Sequence, residues 1–108
     1  ADGELAWTSF DRPIRCFRWL WNGMLQQNMK NKQARIHPTE KPKALYEWLL
    51  MNYAKNGNKI IDTHLGSGSI AMACWNMKYD LVGMDINTTY VKAAQKRLDA
   101  YKKQLTLF

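Results

Sequence analysis

The sequence predicts an α/β fold built on a parallel sheet, on three observations. Two short apolar runs, Lys59 to Asp62 and Asp80 to Asp85, alternate with longer segments of helical periodicity. A glycine turn, Leu65 to Ser69, leads from the first run into the next helix. The second run closes on an acid, Asp85. Strand, helix, strand, helix is a βαβ unit, and a crossover helix implies parallel strands.

Taken in order, residues 4–9 place Leu5 and Trp7 at alternate positions and read as a short strand. Asp11-Arg12-Pro13 is turn chemistry. Residues 14–21 fit two patterns. Phe17, Trp19 and Trp21 share a face at period two, whereas Ile14, Phe17 and Trp21 fit a helix; the aromatic content favours a strand. Residues 22–36 are polar and amide-rich and read as a loop. Pro42 suits a first helical turn. Leu45, Trp48, Leu49 and Tyr53 then form an apolar stripe, and Asn56-Gly57-Asn58 stops the helix. Lys59 to Asp62 reads as a short buried strand. Ile70, Ala73, Cys74 and Met77 form the inner stripe of a second helix. Asn87 can cap a third, with Val91, Ala94, Leu98 and Tyr101 inward.

With 108 residues the chain is one domain at most. Hydrophobic residues at 46% and charged residues at 23% suit a soluble globular fold. No apolar run approaches the roughly 18 residues of a membrane span, and no signal peptide is visible, so a cytoplasmic setting is expected. Cys16 and Cys74 stand apart, without metal-ligand spacing, and fit reduced thiols. The formal net charge is +7. Arg12, Arg15, Arg18, Lys30, Lys32 and Arg35 fall in a stretch without an acidic residue, which suits either a phosphate-facing surface or a solvated basic face.

The strongest chemical signal is Asp62-Thr63-His64-Leu65-Gly66-Ser67-Gly68-Ser69. Glycines between a strand end and a helix start let the backbone approach a ligand closely. The helix N-terminus offers free N–H groups and the positive end of a dipole. An acid closing the next strand can accept hydrogen bonds from both ribose hydroxyls. Together these features suit an adenosine cofactor. Residues 66–71 also satisfy GxGxxG/A, so a nicotinamide or flavin site competes, as does a turn needed only for strand–helix packing.

His37-Pro38-Thr39-Glu40-Lys41-Pro42 favours the first of these. Two prolines stiffen the approach, and Thr39 and Lys41 then offer a hydroxyl and a cation at a fixed place. A cofactor with a free carboxylate, as S-adenosylmethionine has, would use both. Ordinary helix entry, with Thr39 capping, also fits.

Here the sequence resembles the amino-methyltransferases that modify the exocyclic amine of adenine or cytosine in DNA. That family carries HPTxKP shortly before D-P-F-x-G-S-G-T; this chain has HPTEKP and DTHLGSGS in the same, circularly permuted, order over residues 36–98. The resemblance implies a Rossmann-like fold, a partial parallel sheet flanked by helices, that binds S-adenosylmethionine. It implies that Asp62, Gly66, Ser67, Gly68 and Ser69 contact the cofactor, that Asp85 takes the ribose, and that Thr39 and Lys41 hold the methionine end. Thr63 and His64 depart from the usual Pro-Phe, which alters the wall of the adenosyl pocket.

The same family performs its chemistry with a D/N/S-P-P-aromatic tetrapeptide on a flipped-out base. The prolines here, Pro13, Pro38 and Pro42, are not adjacent, so no catalytic residue is assigned in this chain. Three arrangements fit: a fragment of a longer enzyme, a chain paired with a second that supplies the motif, or a degenerate cofactor module. The expected layout is residues 1–35 as the end of the catalytic, DNA-facing half, 36–103 as the cofactor subdomain, and 104–108 as a tail. That tail, Gln104-Leu105-Thr106-Leu107-Phe108, resembles the peptides that dock on the bacterial sliding clamp. Gln104, Leu105, Leu107 and Phe108 are the candidate contacts, against the alternative of packing on the domain. The overall reading is a DNA amino-methyltransferase that uses S-adenosylmethionine. Its rivals are a non-catalytic or clamp-tethered accessory module and a nicotinamide-dependent oxidoreductase.

Overall fold

The computed structural model describes residues 4–18 and 41–106. Helix α1 (Lys43–Tyr53) leads to strand β1 (Lys59–Asp62). Helix α2 (Ser69–Met77) crosses to strand β2 (Asp80–Gly83), and helix α3 (Thr88–Thr106) follows. The strands pair in parallel, with Lys59 opposite Asp80, Ile60 opposite Leu81, Ile61 opposite Val82 and Asp62 opposite Gly83. The expected βαβ unit is present. None of the described helices is long and apolar enough to cross a membrane.

The core lies between α1, α2 and one face of the sheet. Leu50, Ala73 and Cys74 are buried, with Tyr46, Ile60, Ile70, Met77, Tyr79 and Leu81 packed around them. Of the stripe the periodicity predicts for α2, Ala73 and Cys74 are buried and Ile70 and Met77 pack against them, while Met72, outside it, is also buried. For α1 the buried position is Leu50, with Tyr46 one turn before it, rather than the stripe from Leu45 to Tyr53. The predicted stripe is apolar because it has other work: Trp48 and Tyr53 meet Phe17 and Phe10 of the N-terminal segment, with ring centroids 5.5 and 5.0 Å apart. Burial of Cys74 pushes its thiol pKa up to about 11, reinforced by the negative charge of Asp62.

Several expectations are corrected. Residues 4–9 and 14–18 form no strand. A strand requires a hydrogen-bonding neighbour, and this segment instead lies on α1 through side chains, leaving Leu5, Trp7 and Ile14 exposed. Residues 19–21 of that expected strand, and the expected loop 22–36, lie outside the described residues. Strand β1 is buried on one face only: Ile61 is 65% exposed, and Val82 opposite it is 53% exposed. Strand β2 stops at Gly83, so Asp85 sits just past its end. Helix α1 stops at Tyr53, before Asn56; Gly57 (φ 87°) then serves the turn into β1.

Three helix junctions fix α3. Asn87 Oδ1 accepts from the N–H groups of Thr89 and Tyr90 at 3.0 and 3.4 Å, so the predicted cap is formed. The Tyr101 hydroxyl meets Asn76 of α2 and, at 3.2 Å, Lys43 Nζ of α1. Ala94 of α3 lies against Gly68.

Candidate cofactor site

The site is built at the C-terminal ends of the two parallel strands, where ligands bind in open α/β sheets. Leaving β1, the chain makes an Asx-type turn in which the His64 N–H donates to Asp62 Oδ1 at 2.9 Å. Residues 65–68 close a β-turn through Gly68 N–H to the Leu65 carbonyl, 3.0 Å. Gly66 has φ 57° at the first central position and Ser67 a negative φ, the pattern of a II′ turn. Gly68 follows with φ 80° at the N-cap of α2. A side chain there would be strained, and its Cβ would lie 2.5 Å from the Ala94 Cβ. Both glycines are therefore required by backbone conformation, and Gly68 by packing as well.

The two strand ends are laced together. Met84 N–H donates to the Asp62 carbonyl, and Leu65 N–H to the Met84 carbonyl, each at 2.8 Å. Asp85 Oδ2 accepts from Gly66 N–H at 2.9 Å and Oδ1 from Asn87 N–H at 2.8 Å. The acid is thus fixed by the turn it was expected to partner.

Asp62, Gly66, Ser67, Gly68, Ser69 and Asp85 are therefore brought into one constellation. Ser67, Gly68 and Ser69 are buried, and Ser67 Oγ lies 3.3 Å from Ser69 Oγ. Lys41 pairs with Glu4, whose carboxyl pKa is lowered by the hydrogen bond and charge of that ammonium. Thr39 lies outside the described residues. His64 is exposed, with Nδ1 2.8 Å from Thr63 Oγ1. A groove of about 530 Å³ follows β1 to Asp62 and His64, walled by Tyr46, Leu49, Tyr53 and Ile70. Burial and the Asp62 charge raise the Tyr46 pKa.

The DNA-contact candidates divide. Arg12 donates to the Asn52 carbonyl near the end of α1 and lies over the rings of Phe10 and Tyr53. Arg15 donates to Asn52 Oδ1 at 2.8 Å, and Arg18 is exposed. Lys30, Lys32 and Arg35 lie outside the described residues. Of the tail, Gln104 and Leu105 are exposed in the last turn of α3; Leu107 and Phe108 lie outside the described residues. One neighbour of the turn is new. Arg97 of α3 points Nη1 at the Ser67 carbonyl (3.3 Å) and Ser69 Oγ (3.5 Å). Its spacing from Ala94 and Tyr101, on the inward stripe, is the signal that could have found it.

Comparison with known proteins places the chain in a family. A family model described as DNA methylase, of the N6/N4 methyltransferase kind, matches residues 11–96. The chain is 37% identical over 70 residues to the type II methyltransferase M.HpaI of Haemophilus parainfluenzae, covering 65% of this chain and 22% of that protein. It is 35% identical over 81 residues to the type II methyltransferase M2.DpnII of Streptococcus pneumoniae, covering 75% and 30%. The crystal structure of M1.HpyAVI in complex with S-adenosylmethionine superposes with a TM-score of 0.52 at 28% identity, covering 74% of this chain and 43% of that one. The chain thus spans less than a third of the two sequence relatives and under half of the structural one. With the family model matched over most of its length, the chain belongs to the N6/N4 DNA methylase family.

Proposed function

We propose that this chain is the S-adenosylmethionine-binding part of an enzyme that methylates the exocyclic amine of adenine or cytosine in DNA. The observation that carries this reading is the bond from Gly66 N–H to Asp85 Oδ2, which couples the glycine turn to an acid beyond the neighbouring strand. The group set fits the cofactor: a carboxylate, which can accept hydrogen bonds from ribose hydroxyls, and a close-approach turn at a helix N-terminus.

When bound, S-adenosylmethionine supplies a methyl group activated by its sulfonium. The residues described here bind and orient. Asp85 accepts the ribose hydroxyls, the 66–69 turn lies against the ligand, and Thr39 and Lys41 hold the carboxylate end. In this structure Lys41 pairs with Glu4, a partner that the cofactor carboxylate would replace. Methyl transfer depends mainly on positioning and electrostatic support of the amine. No proline-proline-aromatic tetrapeptide occurs in residues 1–108, so the groups that accept the target amine belong to another part of the enzyme in this reading. The small share of each relative that the chain covers supports it.

DNA is the proposed substrate. Arg18, exposed, is the candidate phosphate contact among the described arginines; Arg12 and Arg15 also hold α1. The sliding clamp is the proposed partner of residues 104–108, supported by the exposure of Leu105 at 45%. Phe108→Ala should abolish clamp capture.

Calorimetric titration of the protein with S-adenosylhomocysteine, and separately with NAD, tests the cofactor assignment. The homocysteine product should bind, NAD should not, and Asp85→Ala should lose at least tenfold in affinity. Binding of NAD alone would replace the methyltransferase reading with the oxidoreductase one. Absence of either would leave the glycine turn a packing device.

A further inference from the structure

Arg97 sits on the inner face of α3, three residues after Ala94, the residue that touches Gly68. Its Nη1 donates to the Ser67 carbonyl at 3.3 Å and reaches Ser69 Oγ at 3.5 Å, and its Nη2 is buried. Ser67 and Ser69 are themselves 5% and 2% exposed, so these contacts form away from solvent. Ser69 is the first residue of α2. A guanidinium at a helix N-terminus faces the positive end of the dipole, which opposes it. Helix stability alone therefore does not favour a cation here. The turn does. Ser67 lies between two glycines with positive φ, and a glycine-flanked peptide has wide conformational freedom. Arg97 Nη1, with its two N–H groups, reaches both the Ser67 carbonyl and the Ser69 hydroxyl and removes that freedom.

We propose that Arg97 is a positioning residue for cofactor binding: from α3 it draws the Ser67 carbonyl inward and so holds the 66–69 turn in the shape that receives the cofactor. The inference rests on the cofactor assignment above. Arg97 does not touch the reacting atoms; it acts through the turn, so its loss appears in cofactor affinity rather than in the chemical step. The neighbouring elements agree. Ala94 limits the approach of Gly68, Asp85 fixes Gly66 from just beyond β2, and Arg97 fixes Ser67 and Ser69, so each residue of the turn has one restraint from outside it.

The test compares Arg97→Met and Arg97→Lys with Tyr101→Phe, which loosens the same helix at its junction with Asn76 and Lys43, away from the turn. Backbone amide shifts of residues 66–69 are read without ligand, thermal midpoints are recorded, and S-adenosylhomocysteine affinity is measured by calorimetry. Arg97→Met should move the amide resonances of residues 66–69 and weaken the ligand at least tenfold. In turnover of an enzyme that also carries the catalytic part, it should raise the KM for S-adenosylmethionine while leaving kcat within twofold. Arg97→Lys, which keeps the charge without the guanidinium and serves if the Met variant does not fold, should also move these resonances. Tyr101→Phe should lower the thermal midpoint and leave both the shifts and the affinity within twofold of the parent. Unchanged 66–69 amides in both Arg97 variants would overturn the proposal, as would an equal affinity loss in Tyr101→Phe. If the parent protein fails to bind S-adenosylhomocysteine, the cofactor assignment fails, and the amide shifts alone decide whether Arg97 positions the turn.

Discussion

The segment 4–18 and the block 41–106 carry similar densities of large apolar residues, yet they fold by different rules. In the block, apolar positions at helical spacing become a core: Ala73 is fully buried, and Cys74 and Ala94 nearly so. In the segment, Leu5 and Trp7 stand at alternate positions, and they and Ile14 stay exposed. It is held by Phe10 on Tyr53, Phe17 on Trp48, and two arginines on Asn52. Alternation is a condition for a strand, not a cause of one. β1 and β2 become strands because each supplies the other's hydrogen bonds, and the crossover helix covers one face of both.

This contrast can be broken, and the largest effect should come at Gly68. Gly68→Ala combines left-handed strain with overpacking against Ala94 and should destabilise by about 3 kcal/mol in urea unfolding. A cost under about 1 kcal/mol would mean that α3 does not constrain the turn. Leu50→Ala, in the core of the block, should cost about 3 kcal/mol. Phe10→Ala, in the segment, should cost under about 1 kcal/mol, because the residue is 48% exposed and the area it buries is small. Equal costs for the two would erase the distinction between the regions.

The two cysteines sharpen it chemically. Cys16 is exposed in the segment and Cys74 buried in the block, so a thiol reagent near neutral pH should label one equivalent rapidly and the second only on unfolding. Cys74 has a folded pKa of about 11 against an ordinary 9.0. The native state therefore keeps the proton where the unfolded chain has lost it, and stability should fall as pH rises from about 9 to 11. Cys74→Ala should make that decline shallower.

The smallest effects are at helix ends. Asn87→Ala should cost about 1 kcal/mol by removing the α3 cap. Lys78, at the C-cap of α2 with φ 63°, is a non-glycine residue in left-handed backbone. Lys78→Gly should stabilise by up to about 1 kcal/mol. A loss of stability there would mean that the Lys78 side chain contributes more than its backbone strain costs.

Much of the site was legible because its residues are constrained locally. Gly66 and Gly68 are there for positive φ, Asp62 and Asp85 lie at or just beyond strand ends, and Asn87 caps a helix; each leaves a mark within a few positions. Arg97 could be placed on the inward face of α3 by its spacing from Ala94 and Tyr101, but not in the site. Its role is defined by Ser67 and Ser69, far away in the chain, and a lone arginine on a lysine-rich helix reads as solubility. The face of α1 was misjudged for a related reason. Its aromatic stripe is apolar, but it meets the N-terminal segment while Tyr46 and Leu50 face α2 and the sheet, and periodicity reports an apolar face without reporting its partner. The pairing of Asp85 with Gly66 was foreseeable in kind, since turn and acid were read as one site, but not as a direct bond.

The central claim is that the glycine turn and Asp85 form the cofactor site, and amide chemical-shift mapping tests it most directly. Titrating the protein with S-adenosylhomocysteine should move the resonances of residues 65–69 and 84–87 most. Shifts confined to other residues, such as those along the β1 groove from Tyr46 to Ile60, would contradict the account.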